Sequence, residues 1–138
     1  MLVYEAQLAG FAAVKPGANF LDMNRAAQRV LAQGLADMGV LTVSAEESMK
    51  PEVGLHRRWT LHGVSHHLGL DVHDVGNWNK PIEVGNVFTV EPGIYILEEN
   101  LGIRLENNIV ITENGNRDLF VNFPLEVEEI EALMAEQE

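Results

Sequence analysis

Apolar residues recur at helical spacing through the first forty positions and at strand spacing beyond Asn86. In MLVYEAQLAGFAAVK, Leu2, Leu8, Phe11 and Ala12 follow the helical period, which predicts a helix ended by Pro16-Gly17. Met1 opens straight into this pattern with no capping residue, as expected of a chain that starts inside an element. A second helix is predicted from Asn19 or Asp22, with Leu21, Ala27, Val30, Leu31, Leu35 and Met38 on one face and Gly39 as its C-cap. Residues 44–60 show neither period and read as polar, irregular chain.

Farther along the period changes. Val87 to Glu91 and Gly93 to Leu97 read as strands separated by a tight turn at Pro92-Gly93. Gly102 to Thr112 reads as one longer strand, and Asn114-Gly115 as a turn into a strand from Asp118 to Val121. After Pro124, LEVEEIEALM predicts an acidic amphipathic helix whose early glutamates suit the helix dipole. Helices followed by an antiparallel sheet make the fold class α+β. There is no repeat, low-complexity tract or interdomain linker.

Composition narrows the partners. A formal net charge of -12 argues against nucleic acid and against an anionic membrane surface. No stretch approaches the ~20 apolar residues of a membrane span, and the N-terminus carries no basic, signal-like segment. The lack of cysteine removes disulfides, thiolate ligands and a thiol nucleophile. A soluble cytoplasmic protein is the expectation.

The richest chemistry lies in LHGVSHHLGLDVHDVG, Leu61 to Gly76, which holds four histidines and two aspartates. Two further carboxylates, Glu91 and Glu106, sit in strand-like settings downstream. Imidazole and carboxylate together are the ligand types of a catalytic metal site, and carboxylates so far apart in sequence meet only in a folded sheet. Strand alternation puts Arg104 and Glu106 on one face and Ile103 and Leu105 on the other; a solvated polar face is the plain alternative for the charged pair. Glu91, between Val90 and Pro92 and followed by Ile94 and Tyr95, is expected to be buried and to need a partner, an ion pair or a metal. His62 and His66 are four apart, but Gly63 and Gly69 favour loop or strand over helix. His56 and His67 read as ordinary polar residues without a role.

Taken together, HGVSHHLGLDVHDVG, TVEPGIYI and GIRLENNIVIT, with EAQLAGFAAVKPG before them and EEIEALM after, resemble the pita-bread metallopeptidases, and among these the Xaa-Pro aminopeptidases (aminopeptidase P). The resemblance spans essentially the whole chain. It implies helices packed on a curved antiparallel sheet and a two-metal centre with five protein ligands. Three of those match here: His66, Glu91 and Glu106, the last bridging the metals. His62 and His73 match histidines that bind substrate and stabilise the tetrahedral intermediate, and Arg104 matches an arginine near the substrate. Oxygen ligands with one imidazole fit manganese, cobalt, iron or zinc by ligand hardness, and the resemblance implies manganese. The implied substrate is a peptide with proline second.

Two departures stand out. The residue after Glu106 is usually acidic in relatives and is Asn107 here, followed by Asn108. The two ligand aspartates of the family precede the first helix, and no such motif occurs in this sequence; Asp22, Asp37, Asp71, Asp74 and Asp118 match neither. The resemblance therefore implies residues 1–138 as the C-terminal portion of a catalytic domain, inactive alone, without the N-terminal domain and first metal-binding hairpin. Self-association or pairing with the missing half-domain would cover the orphaned edge. Two other readings stand beside this one: a non-catalytic interaction module descended from such an enzyme, and a prolidase-type Xaa-Pro dipeptidase.

Overall fold

A computed structural model describes residues 1–136. Four α-helices and five strands follow one another as α1 (Leu2–Ala13), α2 (Phe20–Asp37), α3 (Ala45–Ser48), β1 (Val87–Val90), β2 (Gly93–Ile96), β3 (Leu101–Arg104), β4 (Asn107–Thr112), β5 (Gly115–Asp118) and α4 (Val127–Ala135). Helices plus antiparallel sheets bear out the α+β reading.

The start of α2 is fixed by side chains. Asn19 accepts the Leu21 amide at 2.8 Å, and Asp22 accepts the Asn19 amide at 3.1 Å, a reciprocal cap that satisfies orphan donors. Its buried stripe is Phe20, Met23, Ala27, Gln28, Leu31, Ala32 and Leu35. Leu21 and Met38, expected on that stripe, are exposed instead: they lie at its two ends, Leu21 in the first turn and Met38 at the C-cap beyond the last buried residue, Leu35. Likewise α1 buries Val3, Ala6, Gln7 and Gly10 while Leu8 faces outward. An almost wholly apolar helix leaves the choice of buried face to its neighbours. Gly10 decides it here: a Cβ at that position would lie 2.9 Å from Val90 Cγ1, so only glycine lets α1 approach β1 this closely.

Residues 44–60 are more ordered than expected. Ser44 caps α3 by accepting the Glu47 amide at 3.1 Å, and Leu55–Arg58 form a 3-10 turn. The two segments are joined by buried Ser48, whose Oγ accepts the His56 amide at 2.7 Å.

The sheet also departs from expectation. Pro92-Gly93 is not a tight turn. β1 pairs with β4, β2 pairs with β3, and both pairings share one register, running from Val87↔Val110 to Ile96↔Leu101. Residues 87–112 thus form one long antiparallel hairpin, closed at Leu97–Glu99 and at Asn100, which takes a left-handed φ of 50°. Its ladder is interrupted where Glu91-Pro92 faces Leu105-Glu106. Proline has no amide hydrogen to offer across the pair, so the predicted single strand 102–112 is split in two there. β5 begins at Gly115 directly after the Glu113-Asn114 turn and ends at Asp118, earlier than expected.

Segment 64–68 lies along the free side of β1. Leu68 N donates to Val87 O, Thr89 N to His66 O and Glu91 N to Val64 O, at 2.7–3.1 Å. The effective strand order is therefore 64–68, β1, β4, β5. One face of this sheet, carrying Phe88, Val90, Ile109 and Ile111, packs under α1 and α2 as the core. The opposite face carries the candidate site.

Candidate metal centre

Cross-strand register assembles the site. His66 pairs with Thr89, and Glu91 lies opposite Glu106, so all four side chains emerge on one sheet face. One ligand atom from each of His66, Glu91 and Glu106 lies within 4.8 Å of the others. His66 Nε2 is 3.2 Å from Glu91 Oε1. These three residues were singled out in the sequence, and they meet.

Each is held by a second contact. His66 Nδ1 is 2.9 Å from the His67 carbonyl. A carbonyl only accepts, so Nδ1 donates there and Nε2 is the nitrogen that faces the carboxylates, the one available to a metal. Thr89 Oγ1 accepts the His66 amide at 3.1 Å and donates to Glu91 Oε1 at 3.2 Å. The Glu91 carboxylate is buried, as expected, and its ion pair is also present: Arg104 Nη1 lies 3.2 Å from Glu91 Oε2 and Nη2 lies 3.1 Å from Glu106 Oε2. Arg104 thus spans both carboxylates and offsets their mutual repulsion. One imidazole nitrogen with hard carboxylate oxygens fits a divalent cation of the manganese, cobalt, iron or zinc group.

His73 and His62 flank this centre on different sides. The His73 ring is 4.2 Å from that of His66, tilted by 47°. His62 Nδ1 donates to the Gly63 carbonyl at 2.8 Å, and its Nε2 is 2.7 Å from the Tyr95 hydroxyl. A Cβ on Gly93 would lie 2.9 Å from that hydroxyl and 3.1 Å from His62 Nε2, so glycine is what lets this pair form over β2. Thr89 and Tyr95 went unassigned in the sequence. Both lie an even number of residues from Glu91 along the hairpin, a signal strand alternation offers once the register is known.

The other histidines have structural roles. His56 is buried, its Nδ1 donating to the Ser48 carbonyl at 3.0 Å, and burial holds its pKa below the usual histidine value. His67 lies on the opposite face of the sheet from His66, stacked on Phe20 and edge-on to Phe88 and Trp78; burial lowers its pKa too. None of the aspartates joins the centre among the described residues. Asp22 caps α2, Asp37 accepts from Gln33, Asp74 accepts the Leu70 and Val75 amides, and Asp118 accepts from Asn107 at 2.6 Å. The departure at Asn107 is explained in part by that contact. Asn107 points into the core, between Asp118 and Gln7 Nε2 at 3.4 Å, where an acid would face another carboxylate.

An imidazole and two carboxylates gathered on one sheet face define a candidate divalent-metal centre in an α+β domain. The model of metallopeptidase family M24 matches residues 1–113, and the chain belongs to that family. It is 43% identical over 96% of its length to "Xaa-Pro aminopeptidase 1" of Streptomyces coelicolor, and spans 30% of that relative. It is 34% identical, over 96% of its length, to human "Xaa-Pro dipeptidase", of which it covers 36%. Zinc-substituted Escherichia coli aminopeptidase P in complex with product superposes with a TM-score of 0.91 at 37% identity, over 99% of this chain and 33% of that one. The fold is accordingly a partial pita-bread fold. The chain spans about a third of the length of the relatives it matches.

Proposed function

We propose that residues 1–138 are the C-terminal portion of the catalytic domain of a metal-dependent aminopeptidase that releases the N-terminal residue from peptides with proline second. The convergence of His66, Glu91 and Glu106 within 4.8 Å carries the reading, and the 43% identical relative supports it. In this reading two aspartates from polypeptide outside these residues complete the ligand set. Divalent ions bound there would supply Lewis acidity, acidifying a water and neutralising charge that develops on the scissile carbonyl.

The chain's own residues have distinct tasks. The His67 carbonyl orients His66 with Nε2 toward the carboxylates, and Thr89 orients Glu91. Arg104 balances the carboxylate pair and, half-exposed, reaches toward substrate. His62, oriented by Tyr95, and His73, packed on His66, hold the substrate on either side of the centre. Manganese is the proposed native metal. A cytoplasmic setting is part of the same reading, consistent with a sequence free of cysteine. No helix of the described residues is long and apolar enough to cross a membrane.

A prolidase-type dipeptidase is the second reading, favoured by the 34% identical human relative. Cleavage of longer Xaa-Pro peptides against dipeptides only separates the two. The experiment that tests the proposal is turnover of a fluorogenic Xaa-Pro peptide with manganese. The 138 residues alone should give little or none, whereas turnover near that of an intact relative would falsify the half-site account. In the complete protein Glu106→Ala should abolish turnover, and His73→Ala should slow it with metal content unchanged.

A further inference from the structure

The loop that carries His73 has little packing to hold it. Leu68 is hydrogen-bonded to β1, but beyond it the side chains of Leu70, Val72 and Val75 are all exposed. His73 is exposed as well, yet its ring lies 4.2 Å from that of His66. Segments with few buried apolar contacts open easily. An imidazole on such a loop keeps a fixed place beside the metal centre only if polar contacts secure the backbone beneath it.

Those contacts converge on Asp74. Its Oδ2 accepts the Leu70 amide at 3.1 Å and its Oδ1 accepts the Val75 amide at 2.8 Å, so one carboxylate closes the loop on both sides of His73. Gly69 makes room for it, since a Cβ there would overlap Asp74 Oδ2. The Asp74 amide donates to the His67 carbonyl at 3.1 Å, and the same carbonyl accepts His66 Nδ1 at 2.9 Å. One acceptor therefore orients the candidate ligand His66 and anchors the chain next to His73. An aspartate that accepts a nearby amide is an ordinary turn device. The reach back to Leu70 and the shared carbonyl are more than such a turn needs.

We propose that Asp74 is a positioning residue: by clasping residues 69–75 beside the His67 carbonyl, it holds the His73 imidazole against His66 at the edge of the metal centre. The inference rests on the functional reading above for what His73 does, though not for where it sits. Charge strengthens the clasp, because hydrogen bonds to an ionised carboxylate are about twice as strong as neutral ones. Asparagine at 74 would keep one acceptor and turn an amino group toward the other amide, releasing one end of the loop.

Nuclear Overhauser contacts between the ring protons of His66 and His73 in the 138-residue chain test the placement without metal or turnover. They should be present in the unsubstituted chain, lost in Asp74→Ala and weakened in Asp74→Asn. Gly69→Ala is an independent variant that keeps Asp74 but displaces its carboxylate, and it should lose the same contacts. Ring contacts retained in Asp74→Ala or in Gly69→Ala would overturn the proposal. In the complete protein, Asp74→Ala should lower kcat/KM on the order of tenfold or more with metal content unchanged. The same substitution should cost nothing further in a His73→Ala background, because Asp74 acts through that imidazole. Losses that simply multiply would show Asp74 to serve the fold alone and would overturn the assignment. Ring contacts that depend on Asp74, in a complete protein that cleaves no Xaa-Pro peptide, would retire the peptidase reading and leave the clasp standing.

Discussion

The two faces of the β1–β4 pair are made by the same strands and do opposite work. Phe88, Val90, Ile109 and Ile111 point to the helices and are at most 1% exposed. Their neighbours Thr89, Glu91 and Glu106 point the other way and satisfy one another through His66 and Arg104. Alternation along a strand lets a rigid apolar layer lie directly behind a charged one, so the candidate ligands His66, Glu91 and Glu106 are positioned by a core that none of them helps to form. Polar side chains on the core face are joined to one another in the Gln7, Asn107 and Asp118 chain, in which only Gln7 Oε1 is left without a partner.

That contrast can be broken from either side. The largest effect is expected from Phe88→Ala, which removes a ring touching Phe20 and His67 and should cost about 3–5 kcal/mol in denaturant unfolding. Glu106→Ala on the opposite face should cost no more than about 1 kcal/mol, because Arg104 keeps Glu91 as a partner. A loss of several kcal/mol in the second variant would mean that the charged face helps hold the fold.

Asn107→Ala comes next. It leaves Asp118 without its 2.6 Å donor and Gln7 with one contact fewer, for an expected loss of about 1–3 kcal/mol. An unchanged unfolding midpoint would show the chain of amides to be replaceable by water.

The smallest effect concerns pH. Burial holds the His56 pKa below its unfolded value of about 6.5, so as pH falls the unfolded chain takes up the proton first. The stabilisation is complete above that value and declines as pH drops through it toward the lower folded pKa; His67 acts in the same direction. Thermal melts should show the midpoint falling below pH 6.5, with a shallower slope in His56→Gln. An identical slope in that variant would remove His56 from the account.

Much of this was legible in the sequence, and the parts that were not have physical causes. Helices at both ends, the strands and the trio His66, Glu91 and Glu106 follow from periodicity and from the motif. The break at Pro92 was misread as a turn because a proline followed by glycine signals reversal equally well whether the chain turns or merely loses one ladder bond. Its partner Leu105-Glu106 lies far along the hairpin, so no local pattern betrays the interruption. Leu21 was misplaced because the period gives the apolar face of α2 but not how far along it burial extends, while in the almost wholly apolar α1 Gly10 and the sheet select the buried side. The order in residues 45–58 comes from Ser48 and His56, eight positions apart, a pairing no period reveals.

The central claim is that the side chains of 66, 91 and 106 share one divalent cation. Paramagnetic broadening of ¹⁵N-labelled chain by Mn²⁺ reads this residue by residue. The account predicts loss of signal centred on 64–68, 89–93 and 104–108, abolished in Glu106→Ala. Broadening confined to the acidic helix α4, or an unchanged pattern in that variant, would contradict it.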